Sequence, residues 1–355
     1  MTRSPLIFNL VLAGFGNVGR AFVRLAADRA ERLSADHRLA TRVVGISTGR
    51  HGSLFDPRGI DPIEAAVTVE RGRRLEPGAP GQTAPRDTLE LLDHVARTEW
   101  SGPVVVMETT TLNVESGEPA VGHILAALAA GAHVITANKG PIACAWPRVR
   151  DAATRAHRHL LFESVVMDGI PVFNLVRETL PALTVTRLRG IVNTTTNYVL
   201  AALEEGRDAA EALREMQAQG TAEADPSLDI NGWDAAAKAA ALANVLMDAS
   251  MTPAQVERTG IGHLTPADAA AAVADGCTLK LVMQVGRGPH GITASVAPAR
   301  LPPTDPLARV EGSMNALTIS TDCLDDITVT QHGSSIVDTA YGLLTDLVSL
   351  RRRLE

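Results

Sequence analysis

The sequence lacks three features that would assign a class directly: a long apolar run, an excess of basic residues and paired cysteines. No stretch reaches the ~18 to 20 uninterrupted apolar residues that a membrane helix needs. The 33 basic and 40 acidic residues give a formal net charge of -7 without a basic stripe. That balance disfavours nucleic acid and an anionic membrane as partners, so we expect a small soluble molecule instead.

The three cysteines, Cys144, Cys277 and Cys323, lie far apart and in no CxxC pattern. This spacing argues against a disulfide framework or a zinc site and indicates packing thiols in a reducing compartment. At the N-terminus, Arg3 precedes a short apolar run that ends in a glycine pattern rather than a cleavage site. We therefore predict a first buried strand, not a signal peptide, and a cytoplasmic protein.

A chain of 355 residues is longer than one core usually supports, so two lobes are expected. Up to about residue 158, apolar strand patterns alternate with helical ones, as is typical of a doubly wound parallel sheet. Beyond Leu160 the pattern changes, and a closing helix is predicted at 336–352. The further strands are predicted at 159–167, 185–193, 291–299 and 315–321.

These patterns predict an α/β fold with a Rossmann-type doubly wound parallel sheet and a second α/β domain. The dinucleotide-binding domain is predicted over residues 1–158 and the second, substrate-binding domain over 159–328. A C-terminal segment, 329–355, is expected to return its helix to the nucleotide-binding domain.

The motif "GFGNVG" follows the first buried strand and opens a helix. Gly14 permits a tight turn, Gly16 lets the backbone approach a pyrophosphate, and Gly19 lets the helix lie close to the strand. In this context the pattern favours dinucleotide binding over a purely structural glycine turn.

The end of the second strand lacks the acidic residue that usually binds the ribose 2′-hydroxyl of NAD. The residues there are Ser47, Thr48, Gly49, Arg50 and His51. Because Arg50 could pair with a 2′-phosphate, NADP is favoured, with NAD possible. The alternative is that Arg50 is a solvated loop residue.

The stretch "TAEADPSLDINGWDAAAK" collects carboxylates around one lysine. Asp234 and Lys238 are four residues apart on a predicted helix, with Asn231 as its expected N-cap. Such a pair alone could be a solvated ion pair, but Glu223 and Asp229 precede it. Carboxylates facing a lysine suit a substrate that carries an ammonium group, and a lysine can transfer a proton.

This stretch resembles the signature of homoserine dehydrogenases: a glutamate, Asp-Pro-Ser, Asp-x-Asn-Gly-x-Asp and a lysine four positions on. Segments similar to the family occur in the family's order over most of the chain, including "VITANKGPIA", "RGIVNTTTNYVL" and "GSMNALTISTD". The resemblance implies a homodimer, dimerised through the second domain, that reversibly reduces L-aspartate 4-semialdehyde to L-homoserine with NAD(P)H in threonine and methionine biosynthesis.

The resemblance also implies roles for individual residues. Lys238 and Asp234 would serve the reacting carbonyl or hydroxyl, and Lys139 would supply a second cation, although alone it could be an exposed loop lysine. Glu223 and Asp229 would hold the substrate, Glu223 at its ammonium group, and Thr195 would line the pocket. The candidate cofactor contacts are Gly14, Phe15, Gly16, Asn17, Val18, Gly19, Ser47, Arg50, Thr109, Thr110, Lys139 and Gly333.

Homoserine dehydrogenases also bind a monovalent cation, sodium or potassium. The matching ligands here are the Glu163 side chain and the backbones of Val166, Asp168 and Ile170. Oxygen donors suit such a hard cation, which would brace the structure rather than react. A buried or paired Glu163 without a cation is the alternative.

The chain departs from the family pattern at several positions. Thr194 replaces a glycine, Ala237 an arginine, and Asp168 adds a carboxylate to the cation segment. Residues 331–335 replace a family Gly-Pro-Gly-Ala-Gly segment. These changes leave two alternatives open: a related dehydrogenase of another amino- or hydroxy-aldehyde, and a non-catalytic nucleotide-binding sensor. We also expect a monofunctional enzyme without an aspartokinase module or an ACT domain.

Overall fold

The computed structural model describes residues 4–218, 225–289 and 291–355. The chain forms two compact units. The first comprises Met1–Pro141, Pro147–Ile170 and Ile336–Glu355, and the second comprises Ile142–Trp146 and Pro171–Ser335. We predicted domain boundaries at residues 158 and 328 from the sequence. The division into two units does not test the functions assigned to those domains, so these boundaries stay predictions.

The first unit is built on a sheet of six strands within the described residues, and its order is β3-β2-β1-β4-β5-β6. The strands are β1 (Leu6–Ala13), β2 (Leu39–Ser47), β3 (Ser53–Phe55), β4 (Val104–Glu108), β5 (His133–Thr136) and β6 (Leu160–Leu161). All neighbours pair in parallel except β2 and β3. This arrangement confirms the predicted Rossmann-type sheet.

The second unit carries another sheet, whose described strands have the order β12-β11-β7-β9-β10-β8. They are β7 (Val185–Ile191), β8 (Glu257–Arg258), β9 (Thr278–Gly288), β10 (Gly291–Leu301), β11 (Asn315–Thr321) and β12 (Ile327–Gln331). Only β8 and β10 pair in parallel among the described pairs. The second unit is therefore α/β as predicted, with a mainly antiparallel sheet.

Helices surround both sheets. In chain order the described α-helices are α1 (Asn17–Asp28), α2 (Ala30–His37), α3 (Pro62–Glu70), α4 (Thr88–Ala96), α5 (Ala120–Ala129), α6 (Lys139–Cys144), α7 (Trp146–Ala156), α8 (Ser164–Met167), α9 (Thr194–Glu204), α10 (Ala209–Ala218), α11 (Ser227–Ile230), α12 (Trp233–Leu246), α13 (Pro266–Ala274) and α14 (Ile336–Arg353). Within the described ranges, none of them is both long and apolar enough to cross a membrane.

The last helix, α14, completes the core of the first unit. Leu343, Leu347 and Leu350 are fully buried and belong to the same apolar cluster as Phe8 of β1 and Phe22 of α1. The prediction that the C-terminal helix returns to the nucleotide-binding fold is thus confirmed.

The predicted strand at 159–167 is wrong over most of its length. Only Leu160–Leu161 forms a strand, and the apolar residues that follow form α8. The backbone N–H of Glu163 donates to the Asp346 side chain of α14 at 2.8 Å. An apolar run buried on all sides has no alternation that would distinguish a strand from a helix.

Strands β8, β9 and β12 were not predicted from the sequence. Five consecutive residues of β9, from Leu279 to Met283, are buried, including Lys280. A strand buried on both faces, with a lysine inside it, does not show the alternating pattern that identifies a half-exposed strand.

Candidate active site

The glycine motif forms the turn between β1 and α1. Gly14 has a φ of 91°, and a Cβ there would lie 2.7 Å from the backbone carbonyl of Thr109. A Cβ at Gly19 would lie 3.0 Å from the carbonyl oxygen of Gly14, whereas one at Gly16 would meet nothing within 4 Å. Gly14 and Gly19 are needed for packing, and Gly16 leaves its backbone open to a ligand.

The N-terminus of α1 fits the pyrophosphate of a dinucleotide. No described side chain caps the helix at Gly16, and Gly16 and Asn17 are exposed. Phe15 is 2% exposed and lies in the core, against which Val18 also packs, so Phe15 offers a ligand only its backbone. The uncapped amides and the helix dipole favour an anion here.

A buried carboxylate lies beside the predicted cofactor contact Thr110. Glu108, at the end of β4, is fully buried, and its Oε1 accepts bonds from the backbone N–H of Thr110 at 3.0 Å and from the Thr110 hydroxyl. Its Oε2 accepts a bond from the Thr136 hydroxyl at 2.9 Å. Burial raises the pKa of Glu108. The neighbouring Thr109 hydroxyl donates to the Gly14 carbonyl at 2.9 Å.

The hydrogen-bond network of Glu108 continues through Thr136 to Asn138, the residue before Lys139. The Thr136 hydroxyl oxygen accepts a bond from the Asn138 N–H at 2.9 Å, and Asn138 Nδ2 donates to the Thr110 carbonyl at 3.1 Å. Lys139 follows directly, half-buried, at the start of α6. Glu108 therefore connects the ends of β4 and β5, where ligands of open α/β sheets bind.

The other predicted cofactor contacts differ in accessibility. The Ser47 hydroxyl is buried and bonds to those of Thr88 at 2.9 Å and Ser53 at 3.1 Å. Arg50 is exposed in the loop after β2. Gly333, with a φ of 110°, belongs to the second unit. The Ser47 side chain is thus engaged inside the protein, and the cofactor roles of these three residues stay predictions.

The second unit brings together most of the predicted catalytic and substrate residues. Lys238 Nζ lies 3.2 Å from Asp234 Oδ2 on one face of α12, and both side chains are nearly buried. Lys238 Nζ also donates to the carbonyl of Val192. The Lys238 ammonium therefore has two partners, the Asp234 carboxylate and the Val192 carbonyl. The pair is not the solvated ion pair that the four-residue spacing alone would allow.

Asp229 and Thr195 lie beside this pair. The Thr195 hydroxyl and the Asn193 amide hydrogen-bond to Asp229, and Lys238 attracts it. Burial, and then the charge of Asp234, raise the pKa of Asp229 despite these bonds. The predicted residues Thr195, Asp229, Asp234 and Lys238 are therefore one cluster.

Asn193 is a residue of this cluster that the sequence analysis did not identify. Its Nδ2 donates to Asp229 Oδ1 at 2.7 Å and to Asp234 Oδ2 at 2.9 Å. Its Oδ1 caps α9 by accepting the N–H of Thr196 at 2.9 Å. An Asn directly before a predicted helix is an N-cap signal, but the two carboxylates lie 36 and 41 residues away in sequence.

The predicted N-cap of α12 is wrong. Gly232, not Asn231, holds the cap position, with a left-handed φ of 78° and no side-chain bond from the described residues. Asn231 instead ends α11. Only Asn231 and Gly232 lie between the two helices, and Gly232 adopts a left-handed conformation that favours glycine.

Alanine lines α12 because the helix is enclosed. Ala236, Ala239 and Ala240 are fully buried, and the helix packs on β9 and β10. Small side chains let α12 lie close to the sheet, which fixes where Asp234 and Lys238 stand.

Lysine is rare in this chain. Of the 33 basic residues, only Lys139, Lys238 and Lys280 are lysines. Lys280 is buried in β9 and donates to Asn197 Oδ1 at 3.2 Å. Unlike arginine, lysine can release its proton near neutral pH when its environment is suitable. Two of the three lysines in the sequence, Lys139 and Lys238, are therefore at predicted site positions, although arginine is by far the commoner basic residue of this chain.

The predicted Glu223 lies outside the described residues, and its substrate role stays a prediction. Asp225, four residues before Asp229, is exposed and accepts the N–H of Ser227 at 3.0 Å. That bond lowers the pKa of Asp225 and closes a turn over residues 225–227 at the start of α11.

The predicted cation segment packs against α14. Glu163 and Val166 are buried, and Ile170 is half-buried. Asp168 has a positive φ of 51°, and its Oδ1 accepts a bond from the Thr339 hydroxyl at 2.9 Å. The added carboxylate of Asp168 thus bonds to α14, and the cation site stays a prediction.

The parallel sheet, the glycine turn and the lysine–carboxylate cluster are together those of a dinucleotide-dependent oxidoreductase. A family model described as "Homoserine dehydrogenase, NAD binding domain" matches residues 14–163, and one described as "Homoserine dehydrogenase" matches residues 171–348. The chain belongs to the homoserine dehydrogenase family, whose members use a nicotinamide cofactor.

Individual relatives match over nearly the whole chain. An "NAD(+)-dependent homoserine dehydrogenase" of Pseudomonas canavaninivorans is 34% identical over 97% of this chain and 96% of its own. A homoserine dehydrogenase of Methanocaldococcus jannaschii is 32% identical over 96% and 98%. A crystal structure of a homoserine dehydrogenase from Thiobacillus denitrificans has a TM-score of 0.80 at 29% identity, covering 98% of this chain and 74% of that one.

Proposed function

We propose that this protein catalyses the reversible NAD(P)H-dependent reduction of L-aspartate 4-semialdehyde to L-homoserine. The ion pair of Lys238 and Asp234 beside Asp229 is the observation that supports this most directly. Two carboxylates and one ammonium leave the cluster with an excess negative charge when all three are ionised. Such a cluster suits a substrate that carries its own ammonium group.

The contacts of these residues support the following roles. A reduced dinucleotide, held with its pyrophosphate at Gly16 and the N-terminus of α1, would supply a hydride to the aldehyde carbon. The Lys238 ammonium donates a proton to the carbonyl oxygen, and hydride and proton together give the alcohol. Asp234, at 3.2 Å, keeps Nζ in place, and in the reverse direction the Lys238 amine accepts the hydroxyl proton. Asp229 and Thr195 hold the substrate.

The experiment measures NADPH and NADH oxidation with L-aspartate 4-semialdehyde in wild type, Lys238→Ala and Lys238→Arg. The arginine variant is the matched control, because it keeps the positive charge next to Asp234 but holds its proton too tightly to transfer it. We expect both variants to lose about 10²- to 10⁴-fold in kcat. Near wild-type turnover by Lys238→Arg would exclude Lys238 as the proton donor.

We also propose that NADP is preferred over NAD, through Arg50. The exposed guanidinium in the loop after β2 has the charge and geometry to bind a 2′-phosphate. Arg50→Ala should raise the KM for NADPH about 10-fold and leave the KM for NADH unchanged, because one charge-assisted bond is worth roughly that factor. Equal changes for both cofactors would contradict the assignment.

A second candidate is a dehydrogenase of another amino- or hydroxy-aldehyde. Thr194, which replaces the family glycine, accepts a bond from Asn315 Nδ2 at 3.2 Å, and Asn315 also donates to Gln331 at 3.4 Å. Two departures from the family pattern thus bond to the same amide. Wild-type protein that oxidises NAD(P)H with another aldehyde, but not with the semialdehyde, would favour this candidate.

The assembly, the location and a cation site are proposed by analogy with the family. We propose a homodimer in the cytoplasm with a monovalent cation at Glu163. Light scattering of the purified protein tests the dimer, and a mass near that of one 37.4 kDa chain would exclude it. Unfolding in sodium, potassium or tetramethylammonium chloride tests the cation, since a binding ion raises the unfolding midpoint.

A further inference from the structure

Asn193 stands between the two carboxylates of the cluster. One amide nitrogen, Nδ2, donates to Asp229 Oδ1 at 2.7 Å and to Asp234 Oδ2 at 2.9 Å. The same Asp234 oxygen lies 3.2 Å from Lys238 Nζ. Asn193 thereby joins the proposed substrate carboxylate to the proposed catalytic pair.

The orientation of this amide is fixed by the helix that it caps. Asn193 Oδ1 accepts the backbone N–H of Thr196 at 2.9 Å and lies 2.9 Å from the Thr196 hydroxyl. A backbone N–H can only donate, so the amide oxygen must face Thr196 and the NH₂ group must face the carboxylates. A flipped amide would place its oxygen against two carboxylates and its hydrogens against an N–H.

The carboxylates of Asp229 and Asp234 need a hydrogen-bond donor between them because they are largely buried, so that little water screens their mutual repulsion. Among the described residues, two charged groups act on Asp229: Asp234 opposes its ionisation, and Lys238 favours it. Asn193 and Thr195 supply the neutral donors. Lys238 makes its ion pair with Asp234, and within the described part of the chain Asn193 Nδ2 donates a hydrogen bond to both carboxylates.

We propose that Asn193 is a positioning residue that directs Asp229 to the substrate and Asp234 to Lys238 by donating one amide hydrogen to each. The inference rests on the proposed function for the roles of these two carboxylates. Asn193 acts through them and is not itself assigned a contact with the reacting atoms. The ligand class that this arrangement favours is a small molecule with a primary ammonium group.

Two variants separate this role from helix capping. Asn193→Asp is nearly isosteric and caps a helix as well as asparagine does, but it replaces the NH₂ group by an acceptor oxygen. Asn193→Ser also retains a capping oxygen, adds no charge and removes the NH₂ group, and its single hydroxyl hydrogen cannot donate fully to both carboxylates. A residue needed only as a cap would tolerate both.

The first readout is kcat/KM between pH 6 and 8 with the semialdehyde and NADPH. Asn193→Asp should lose about 100-fold at pH 8 and less at pH 6, because the new carboxyl can donate a hydrogen bond once it takes up a proton. Asn193→Ser should lose activity by a factor that changes little with pH. Wild-type kcat/KM in either variant, or a pH-independent loss in Asn193→Asp, would overturn the proposal.

The second readout needs neither substrate nor cofactor. Urea unfolding should show that Asn193→Asp lowers the midpoint more at pH 8 than at pH 6, since three ionised carboxylates then meet in one place, whereas Asn193→Ser should lower it equally at both. If wild type binds cofactor but does not reduce the semialdehyde, the proposed function fails. The unfolding comparison still decides the role of Asn193, and identical midpoint shifts for Asn193→Asp at both pH values would refute it.

Discussion

The two units each bury a carboxylate at their candidate site, but they satisfy it differently. In the first unit, the bonds that Glu108 accepts from described residues all come from neutral groups: the amide of Thr110 and the hydroxyls of Thr110 and Thr136. In the second unit, Asp234 accepts a neutral amide from Asn193 and also pairs with the Lys238 ammonium. The first carboxylate braces two loops, and the second belongs to the proposed chemistry.

The difference indicates how burial alone should be interpreted. Burial raises the pKa of Glu108, and the described groups that oppose this rise are the neutral hydrogen-bond donors of Thr110 and Thr136. A perturbed buried acid is often taken as a sign of catalysis. Here the neighbours are more informative than the perturbation, because among the described contacts Asp234 has an ion pair with a lysine, whereas the bonds of Glu108 come from neutral groups.

The largest effect should come from the matched replacement of each carboxylate by an amide. Asp234→Asn should lower kcat about 100-fold, because Lys238 loses the charge that holds it, whereas Glu108→Gln should change kcat less than about 3-fold. Steady-state kinetics with the semialdehyde measures both. Equal losses in the two variants would mean that the two carboxylates do not differ in role.

A smaller effect is expected on stability when Glu108 is truncated. Glu108→Ala leaves the Thr110 and Thr136 donors without an acceptor in the core and should lower the free energy of unfolding by about 2 kcal/mol. Glu108→Gln keeps an acceptor for Thr110 and should cost clearly less. Urea denaturation of both variants checks this, and indistinguishable unfolding curves for them would show that the hydrogen bonds contribute little.

The smallest effect is a difference in pH dependence between wild type and Glu108→Gln. The pKa of Glu108 is raised on folding, so the folded state holds this proton more tightly than the unfolded chain. The contribution to stability is present below the ordinary carboxyl pKa and is lost as the pH rises through the folded value. Wild type should therefore lose stability relative to Glu108→Gln on going from pH 4 upward.

The test is chemical denaturation of both proteins across that range. A constant difference between them would mean that Glu108 titrates alike in the folded and unfolded chain.

Sequence patterns predicted those parts of the molecule whose causes are local. "GFGNVG" after an apolar strand predicted the turn of Gly14, and the four-residue spacing placed Asp234 and Lys238 on one helical face. The collection of carboxylates before the helix added Asp229, and the family resemblance added Thr195; the structure brings both beside that pair. Each of these inferences depends on neighbours close in sequence or on a signature of fixed spacing.

What the sequence could not show depends on distant partners. The bonds of Asn193 to Asp229 and Asp234, and those of Glu108 to Thr136, join residues brought together only by the fold. The strand prediction at 159–167 failed for a related reason, because the Glu163 N–H bonds to Asp346 near the end of the chain. Whether such an apolar segment forms a strand or a helix thus depends on the distant residues that bond to its backbone.

The position of α14 has a consequence for the order of synthesis. Leu343, Leu347 and Leu350 complete an apolar cluster whose other members begin at the first strand. A ribosome exports Phe8 more than 300 residues before these leucines, so the core of the first unit stays open until the last turns of α14 emerge. The whole of the second unit lies between β1 and α14 in the sequence. The second unit can therefore fold before α14 has been synthesised, whereas the first unit cannot complete its core until then.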